Sequence, residues 1–385
     1  MNSLLESLGV IYGGPSPEHD VSILTGLQAV KTLLAETGTV ISIYWSKNGD
    51  FYSVDPAAEA KDFLSGVPEK ALPLRLETGT EGGFFAKRGK IATKWEPLEI
   101  KVLINCCHGG PGEDGTLQGL LDMAHIRYTG PTASGAVLGM DKLAFEALMR
   151  SAGLPTLGRY SPEQLFALRE TGSFGGKKEV FPDPPYILKP RYGGSSIGIE
   201  IVDDLKTAVS LASTGVHFRR GAVLETYRPD LYDLQIAVRS WPKLDCSVIE
   251  KPLRTKNDKS ILDYFDKYAP GVGMSQAPRE IPAQIDEELA FELHEAALLT
   301  ADVTGLRGVA RIDFLSDGKD FFVNEINTIP GSLSRHLFME SKINFVSLLS
   351  DLTEEALKRP AITFSATGSD GLVLRDATSI ASKLA

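Results

Sequence analysis

The sequence predicts an α/β and α+β protein of several domains that opens on a domain with a parallel sheet. Three observations carry this. In the first hundred or so residues, short apolar runs ending in glycines alternate with a helical pattern, the order that builds parallel sheets. From Tyr186 onward, strand-like runs outnumber the helices between them, as in an α+β region. The chain has 385 residues, more than one hydrophobic core usually serves.

The elements follow in order. Leu8–Tyr12 is an apolar run feeding Gly13 and Gly14, a buried strand into a glycine turn. Val21, Leu24, Leu27, Val30, Leu33 and Leu34 fall on one side of a helix from about His19 to Ala35. Val40–Trp45 and Val102–Cys107 are further strands, and the second again ends in glycines. Ligand groups then belong at the carboxyl ends of these strands. The turn-rich stretch Asp55–Trp95 reads as a peripheral insertion with some strand. Asp141–Ala152 is an amphipathic helix with Leu143, Phe145, Leu148 and Met149 apolar, stopped by Gly153 and Pro155. A domain boundary falls just before it. Thr171–Pro185, rich in Gly, Lys and Pro, is a loop. Strands are expected at Tyr186–Lys189, Ile197–Val202, Val223–Thr226 and Leu234–Val238, with a helix near Asp203–Ala212. Thr255–Met274 has no clean period, and a long irregular loop in a compact enzyme is often a lid. Pro282–Gly305 reads as a helix, and strands follow at Gly308–Leu315 and Asp320–Ile326. The Ser-, Thr- and Gly-rich tail after Pro360 reads as an appendage with a short final helix. The chain has no internal repeat.

Composition narrows the function classes. With 43% hydrophobic and 23% charged residues the chain fills cores and is not disordered as a whole. Its formal charge of −10 argues against a general nucleic-acid or anionic-membrane surface. An anionic small ligand is still open to it, because local cations set the field at a site. The cysteines are Cys106, Cys107 and Cys246, an odd number with two adjacent. That is no disulfide framework, and it fits a reducing compartment. Met1–Gly14 carries no basic cluster and no long apolar core, so no signal peptide is read. No run approaches the roughly 18 apolar residues of a membrane helix. The expected location is cytoplasmic, with neither nucleic acid nor membrane as partner.

Four stretches could carry chemistry. In Arg311-Ile312-Asp313 and Asn324-Glu325-Ile326-Asn327, alternation puts Arg311 with Asp313, and Glu325 with Asn327, on one face of two strands. Two carboxylates and an amide oxygen suit a hard cation such as Mg²⁺. The guanidinium beside them can stabilise negative charge. Ile312, Phe314, Phe322, Val323 and Ile326 would face a core, which makes a site a better reading than a surface ion-pair cluster. Lys189-Pro190-Arg191-Tyr192-Gly193-Gly194-Ser195-Ser196-Ile197-Gly198 is a loop whose backbone N–H groups could cradle a phosphate, or a plain hairpin turn. It lacks the Gly-Lys-Ser/Thr close of a Walker A loop. In Gly13–Ser22, Glu18 either caps the helix that follows or anchors a substrate ammonium. In His108–Gly115, Cys-Cys-His invites a zinc reading. Adjacent cysteines at the end of an apolar run are more often packed thiols, so His108 is the better site residue.

Taken together and in order, GGPSPEHDVS, HGGPGEDGTLQGLL, Met140-Asp141-Lys142, LKPRYGGSSIG, DKY at 266–268, ARID and NEINTIPG resemble the D-alanine–D-alanine ligases of the ATP-grasp superfamily, from about Leu8 to about Leu349. The resemblance implies a three-domain ATP-grasp fold. Its parts would be an N-terminal α/β domain over 1–139, a central subdomain over 140–229, a C-terminal subdomain over 230–358 and a tail over 359–385. ATP would lie between the last two domains. The resemblance puts Lys142 and Lys189 at the ATP phosphates, the hinge residues Glu225, Thr226 and Arg228 at the adenine, and lid Lys267 at the γ-phosphate. Asp233 falls near the ribose, one residue further along than is usual and as Asp rather than Glu. Asp313, Glu325 and Asn327 would hold two Mg²⁺ or Mn²⁺ ions. Arg311 and the Gly331 backbone would form the oxyanion site. Glu18, Ser195 and Tyr268 would tie the first substrate site to the lid, with His108, His336 and Leu337 also at the substrates.

The implied reaction joins two D-alanines for peptidoglycan precursor synthesis. ATP phosphorylates one carboxylate, and the amine of the second amino acid displaces phosphate. The partners expected are D-alanine, ATP and a second copy of the chain in a homodimer. The chain departs from the family pattern at His336, where relatives usually carry a Ser that helps hold the second carboxylate. An imidazole can bind a carboxylate too, better when protonated, and Arg335 is adjacent. The alternative function is therefore a related ligase with a different second substrate, a D-hydroxy acid or another amino acid. Lys267 and Tyr268 keep the dipeptide pattern.

Overall fold

The computed structural model describes residues 7–88, 94–171, 183–253 and 278–376. The expected lid Thr255–Met274, with Lys267 and Tyr268, lies outside these residues, as does most of the expected loop Thr171–Pro185.

The chain opens with β1 (Leu8–Gly13), α1 (His19–Thr37) and β2 (Ile41–Trp45). Next come β3 (Phe51–Val54), β4 (Leu72–Glu77), β5 (Gly83–Arg88), β6 (Lys94–Pro97) and β7 (Val102–Asn105). Among the described residues they form one seven-stranded sheet in the order β6-β5-β4-β3-β2-β1-β7. β1 pairs in parallel with β2 and β7, and it is buried along its whole length, hence its unbroken apolar run. The segment Asp55–Trp95 is not a peripheral insertion. Its strands β4 and β5, with β6 reaching two residues beyond it, continue the sheet antiparallel from β3. β4 and β6 are short and largely solvent-facing, while β5 buries Phe84 and Ala86 on one side only, so the apolar pattern is weak.

Four helices follow: α2 (Gly110–Glu113), α3 (Thr116–Met123), α4 (Ala133–Met140) and α5 (Lys142–Ser151). Asp141 caps α5, accepting from the N–H groups of Leu143 and Ala144. After α6 (Pro162–Thr171) come β8 (Tyr186–Pro190), β9 (Glu200–Val202), α7 (Leu205–Thr214) and β10 (Ala222–Thr226). β8 lies antiparallel between β10 and β9. The strand expected at Ile197–Val202 begins only at Glu200. Ser195 and Ser196 take left-handed φ values of 53° and 59°, and the chain turns there.

The third sheet is antiparallel, in the order β13-β12-β11-β14-β15. It is built from β11 (Tyr232–Arg239), β12 (Asp245–Pro252), β13 (Arg279–Glu280), β14 (Val309–Ser316) and β15 (Phe321–Asn327). Between β13 and β14 runs α8 (Glu287–Val303), which starts later than Pro282 because Asp286 is its N-cap. The last helices are α9 (Arg335–Glu340), α10 (Phe345–Lys358) and the short α11 (Leu372–Asp376) in the tail.

Two large cores hold the halves. α5 and α8 cover the third sheet through Phe145, Met149, Leu293 and Ala297 against Ile236, Ile312 and Phe314. α10 returns to the first sheet, where Leu348, Leu349 and Leu352 share a core with Val10 and Ile104 and also with Ala237 and Val309. The first and third sheets thereby share one apolar seam, and the second sheet faces the cleft they leave.

Candidate functional site

A cavity of about 800 Å³ lies where the three sheets meet. Its floor is the β14–β15 face. Register sets Arg311 opposite Asn327 and Asp313 opposite Glu325, so the four polar side chains anticipated from alternation do share one face. A bulge after Asp313 shifts the phase, pairing Phe314 with Val323. Phe322 is therefore only half-buried, whereas Val323 is buried, which corrects the expectation that both face the core. Arg311 grips Asp313 with two bonds, Nε to Oδ1 at 2.6 Å and Nη2 to Oδ2 at 2.8 Å. Asn327 Nδ2 lies 3.2 Å from Asp313 Oδ2. Two carboxylates and an amide oxygen opening onto a cavity fit a hard divalent cation that takes further ligands from phosphate and water. Among the described residues no group of three His, Cys, Asp or Glu could hold a metal. Burial pushes the Cys106 thiol up to about 12, so it behaves as a packed thiol.

The glycine turn after β1 brings in the next group. Gly13 has φ 92°, and a Cβ there would meet Trp45 O at 2.2 Å, so only glycine fits. Ser22 accepts from Gly13 N and donates to Cys106 O, each at 2.7 Å. His19 Nδ1 lies 2.6 Å from Gly14 O and its Nε2 lies 3.1 Å from Tyr44 OH. Glu18 at the start of α1 makes no side-chain cap bond, which decides against the capping reading. Its carboxylate accepts from Ser195 Oγ and lies against Gly109 and Gly194, whose added Cβ atoms would sit 2.2 Å and 3.3 Å from Oε2. Glu18 and Ser195, far apart in sequence, thus meet across the cleft.

The cations come from the second sheet and α5. Lys142 Nζ donates to Gly193 O and lies 3.9 Å from Glu325 Oε2. Burial pushes its pKa down, against the opposing pull of Glu325. Lys189 Nζ donates to Glu225 Oε2 at 3.0 Å, and Arg159 Nε donates to Glu225 Oε1 at 2.8 Å. Burial alone would raise the pKa of Glu225, but the two cations outweigh it and hold it at about 2. The Glu225 side chain is therefore committed to its cations, and only its backbone could read a base. Thr226 and Asp233 line the same cavity. Arg228 lines it too, but its guanidinium is bonded to Asp230 at 2.8 and 2.6 Å. Arg159 belongs to none of the motifs read above, and a lone Arg after a helix stop gave no signal to find it.

The last component is the turn Gly331–Ser334. Ser332, Leu333 and Ser334 have φ of 50°, 50° and 51°, three consecutive left-handed residues at roughly 1–2 kcal/mol each. A buried relay holds them. Ser332 N donates to Thr25 Oγ1 at 3.0 Å, Thr25 Oγ1 lies 2.8 Å from His108 Nε2, and His108 Nδ1 lies 2.5 Å from Ile329 O. The partners assign the proton to Nδ1. His108 therefore supports the turn with both ring nitrogens engaged and has none left for a substrate, contrary to expectation. Burial lowers its pKa to about 4. Glu113, quoted in its motif but not singled out, accepts from Gly109 N, Ile329 N and Thr328 Oγ1 at 3.0, 3.0 and 3.1 Å. Burial, with Glu18 nearby, raises its pKa to about 7. His336 faces the cavity with Nε2 2.7 Å from Glu250 Oε2, and Arg279 Nη1 holds the other oxygen at 3.1 Å. Leu337, expected at the substrates, is packed in the core and is not among the residues that line the cavity. Tyr268 and Lys267 lie outside the described residues.

Comparison with known proteins adds the following. Residues 7–131 match the family model described as D-ala D-ala ligase N-terminus, and 167–354 match D-ala D-ala ligase C-terminus. A D-alanine–D-alanine ligase from Campylobacter lari is 33% identical, covering 89% of this chain and 92% of its own length. One from Wolinella succinogenes is 31% identical, covering 91% and 94%. The structure of the D-alanine–D-alanine ligase from Coxiella burnetii superposes with a TM-score of 0.68 at 22% identity, over 91% of this chain and 94% of that one. The VanG D-Ala:D-Ser ligase from Enterococcus faecalis superposes at 0.70 and 22%, over 91% and 98%. At such identities these superpositions speak for the fold.

Proposed function

Because the chain belongs to the D-alanine–D-alanine ligase family, we infer that it joins two D-alanines at the expense of ATP, for peptidoglycan precursors. ATP and a divalent metal take part. That two ions of Mg²⁺ or Mn²⁺ serve is part of the proposal, as are a homodimer and a cytoplasmic site. Among the described residues no helix is long and apolar enough to cross a membrane. The observation that carries the reading is the shared face of Arg311, Asp313, Glu325 and Asn327 on the cavity floor.

The family and the positions of the described residues support the following roles. Asp313, Glu325 and Asn327 would hold the metal, which when bound would supply charge neutralisation at the phosphates. Lys142 and Lys189 supply further positive charge to the phosphates, with Lys267 of the expected lid. Thr226 and the backbone of Glu225 and Arg228 meet the adenine, and Asp233 the ribose. Glu18, linked to Ser195, anchors the ammonium of the first D-alanine, with Tyr268 closing that set. The carboxylate attacks the γ-phosphorus and ADP leaves; the second amine adds to the acyl carbon, and the adduct loses a proton and expels inorganic phosphate to leave the amide. Arg311 and the Gly331 N–H face the oxyanion of that adduct, where donors set in advance act most strongly. The strained turn after Gly331 supports the view that this N–H is fixed before substrate arrives. His336 holds the second carboxylate.

The structural basis for a second reading is His336, which faces the cavity while hydrogen-bonded to Glu250 and favours a different second substrate. ADP release with D-alanine as donor, screened over D-amino and D-hydroxy acids as acceptors, separates the two. D-alanine should be the best acceptor, and turnover confined to another acceptor would favour the second reading.

A further inference from the structure

Arg159 lies between α5 and α6, with 8% of its surface exposed. Its guanidinium spans two sheets. Nε binds Glu225 Oε1 on β10, while Nη2 binds Asn324 O at 2.6 Å and Asn324 Oδ1 at 2.8 Å on β15, next to Glu325. Nη1 lies 3.5 Å from Lys142 O. Glu225 is fully buried, and its other oxygen takes the Lys189 ammonium. One buried carboxylate thus lies between two cations, and the trio carries a net charge of +1. The consequence is electrostatic. Without Arg159, Lys189 and Glu225 would form a closed, neutral, buried pair, and a triphosphate would have to break it to reach the ammonium. With Arg159 present, the carboxylate is already compensated through its other oxygen, and the surplus charge belongs to the cavity.

We propose that Arg159 is a positioning residue for the nucleotide. It neutralises Glu225 so that the Lys189 charge is available to the triphosphate, and its grip on Asn324 fixes that cation relative to the metal strand. The proposal rests on the ligase reading of the cavity. The cost of losing one partner of a buried charged cluster falls on whatever the remaining partner must do next.

The test is the affinity for ATP with Mg²⁺, measured by calorimetry on the full chain. Arg159→Met keeps much of the side-chain length without the charge, and Arg159→Lys keeps the charge. The Met variant should bind ATP about tenfold more weakly or worse, a size usual for coupled sites. The Lys variant should recover most of the affinity. Adding Glu225→Gln to Arg159→Met should also restore binding, because the anion that captures Lys189 is gone. This arm reads the charge even if the Met variant is less stable. Unchanged ATP affinity in Arg159→Met would overturn the proposal. So would equal losses in the Met and Lys variants with no rescue by Glu225→Gln, the signature of a merely structural strut. The readout is nucleotide binding, so a wild type that binds ATP yet forms no dipeptide would overturn the ligase reading alone.

Discussion

His108 and Glu113 lie in one buried cluster and titrate in opposite senses. His108 has a pKa of about 4 when folded and an ordinary value of 6.5, so the unfolded chain binds more protons between them. Stability from this group is complete above the ordinary value and is lost as pH falls towards 4, by roughly 3 kcal/mol in all. Glu113 has a folded pKa of about 7 against 4.5, so the folded chain binds more protons in that window and loses stability as pH rises through it, by a similar roughly 3 kcal/mol. Over the shared window the two largely cancel. His108→Gln, which keeps a donor and an acceptor, should uncover the Glu113 slope. The wild-type-minus-variant difference in unfolding free energy, from urea titrations, should rise by roughly 3 kcal/mol from pH 4 to above 6.5. A flat difference would mean that His108 is not held neutral. At Glu325 the expectation concerns chemistry. Glu325→Gln should cut kcat by about two to three powers of ten with little change in melting temperature. Full activity would remove it from the metal site.

At the scale of elements, α1 is the organising piece. It carries Glu18 and His19 at its start, Ser22 beneath the glycine turn and Thr25 beneath the left-handed turn at Ser332–Ser334. Thr25→Val keeps the shape but leaves Ser332 N–H and His108 Nε2 without their oxygen. Each orphaned buried group costs about 1–3 kcal/mol. Urea unfolding should show a loss of that order, and kcat should fall about tenfold as the left-handed turn loosens, while ATP affinity holds. An equal fall in ATP affinity would argue that the turn is not a separate unit. The shared polar face of β14 and β15 was legible in the sequence because strand alternation is local and strict. The bulge that parts Phe322 from Val323 was not, because nothing in FFVNEIN marks an extra residue. β4–β6 were misread as peripheral because one exposed face removes the apolar signal. Arg159 and the buried partners of His108 were invisible for another reason: each depends on residues more than 60 positions away.

In the whole molecule, residues held by all three sheets line one cavity: Glu18 after β1, Lys189 and Ser195 from the second sheet and its loop, and Arg311, Asp313, Glu325 and Asn327 from the third. The apolar seam through α10 ties the first sheet to the third, so the cavity residues after β1 and those on β14 and β15 rest on one shared core. The second sheet reaches them through polar bridges, Ser195 to Glu18 and Arg159 to Asn324. Alternation could reveal the floor but not this convergence, which depends on how the sheets are set against one another. The central claim is that a carboxylate is phosphorylated and then displaced by an amine in this cavity. The most direct test uses D-alanine labelled with ¹⁸O in its carboxylate, with ATP and Mg²⁺, and mass analysis of the products. The account predicts one ¹⁸O in the inorganic phosphate for each D-alanyl-D-alanine formed. Unlabelled phosphate accompanying dipeptide formation would contradict it.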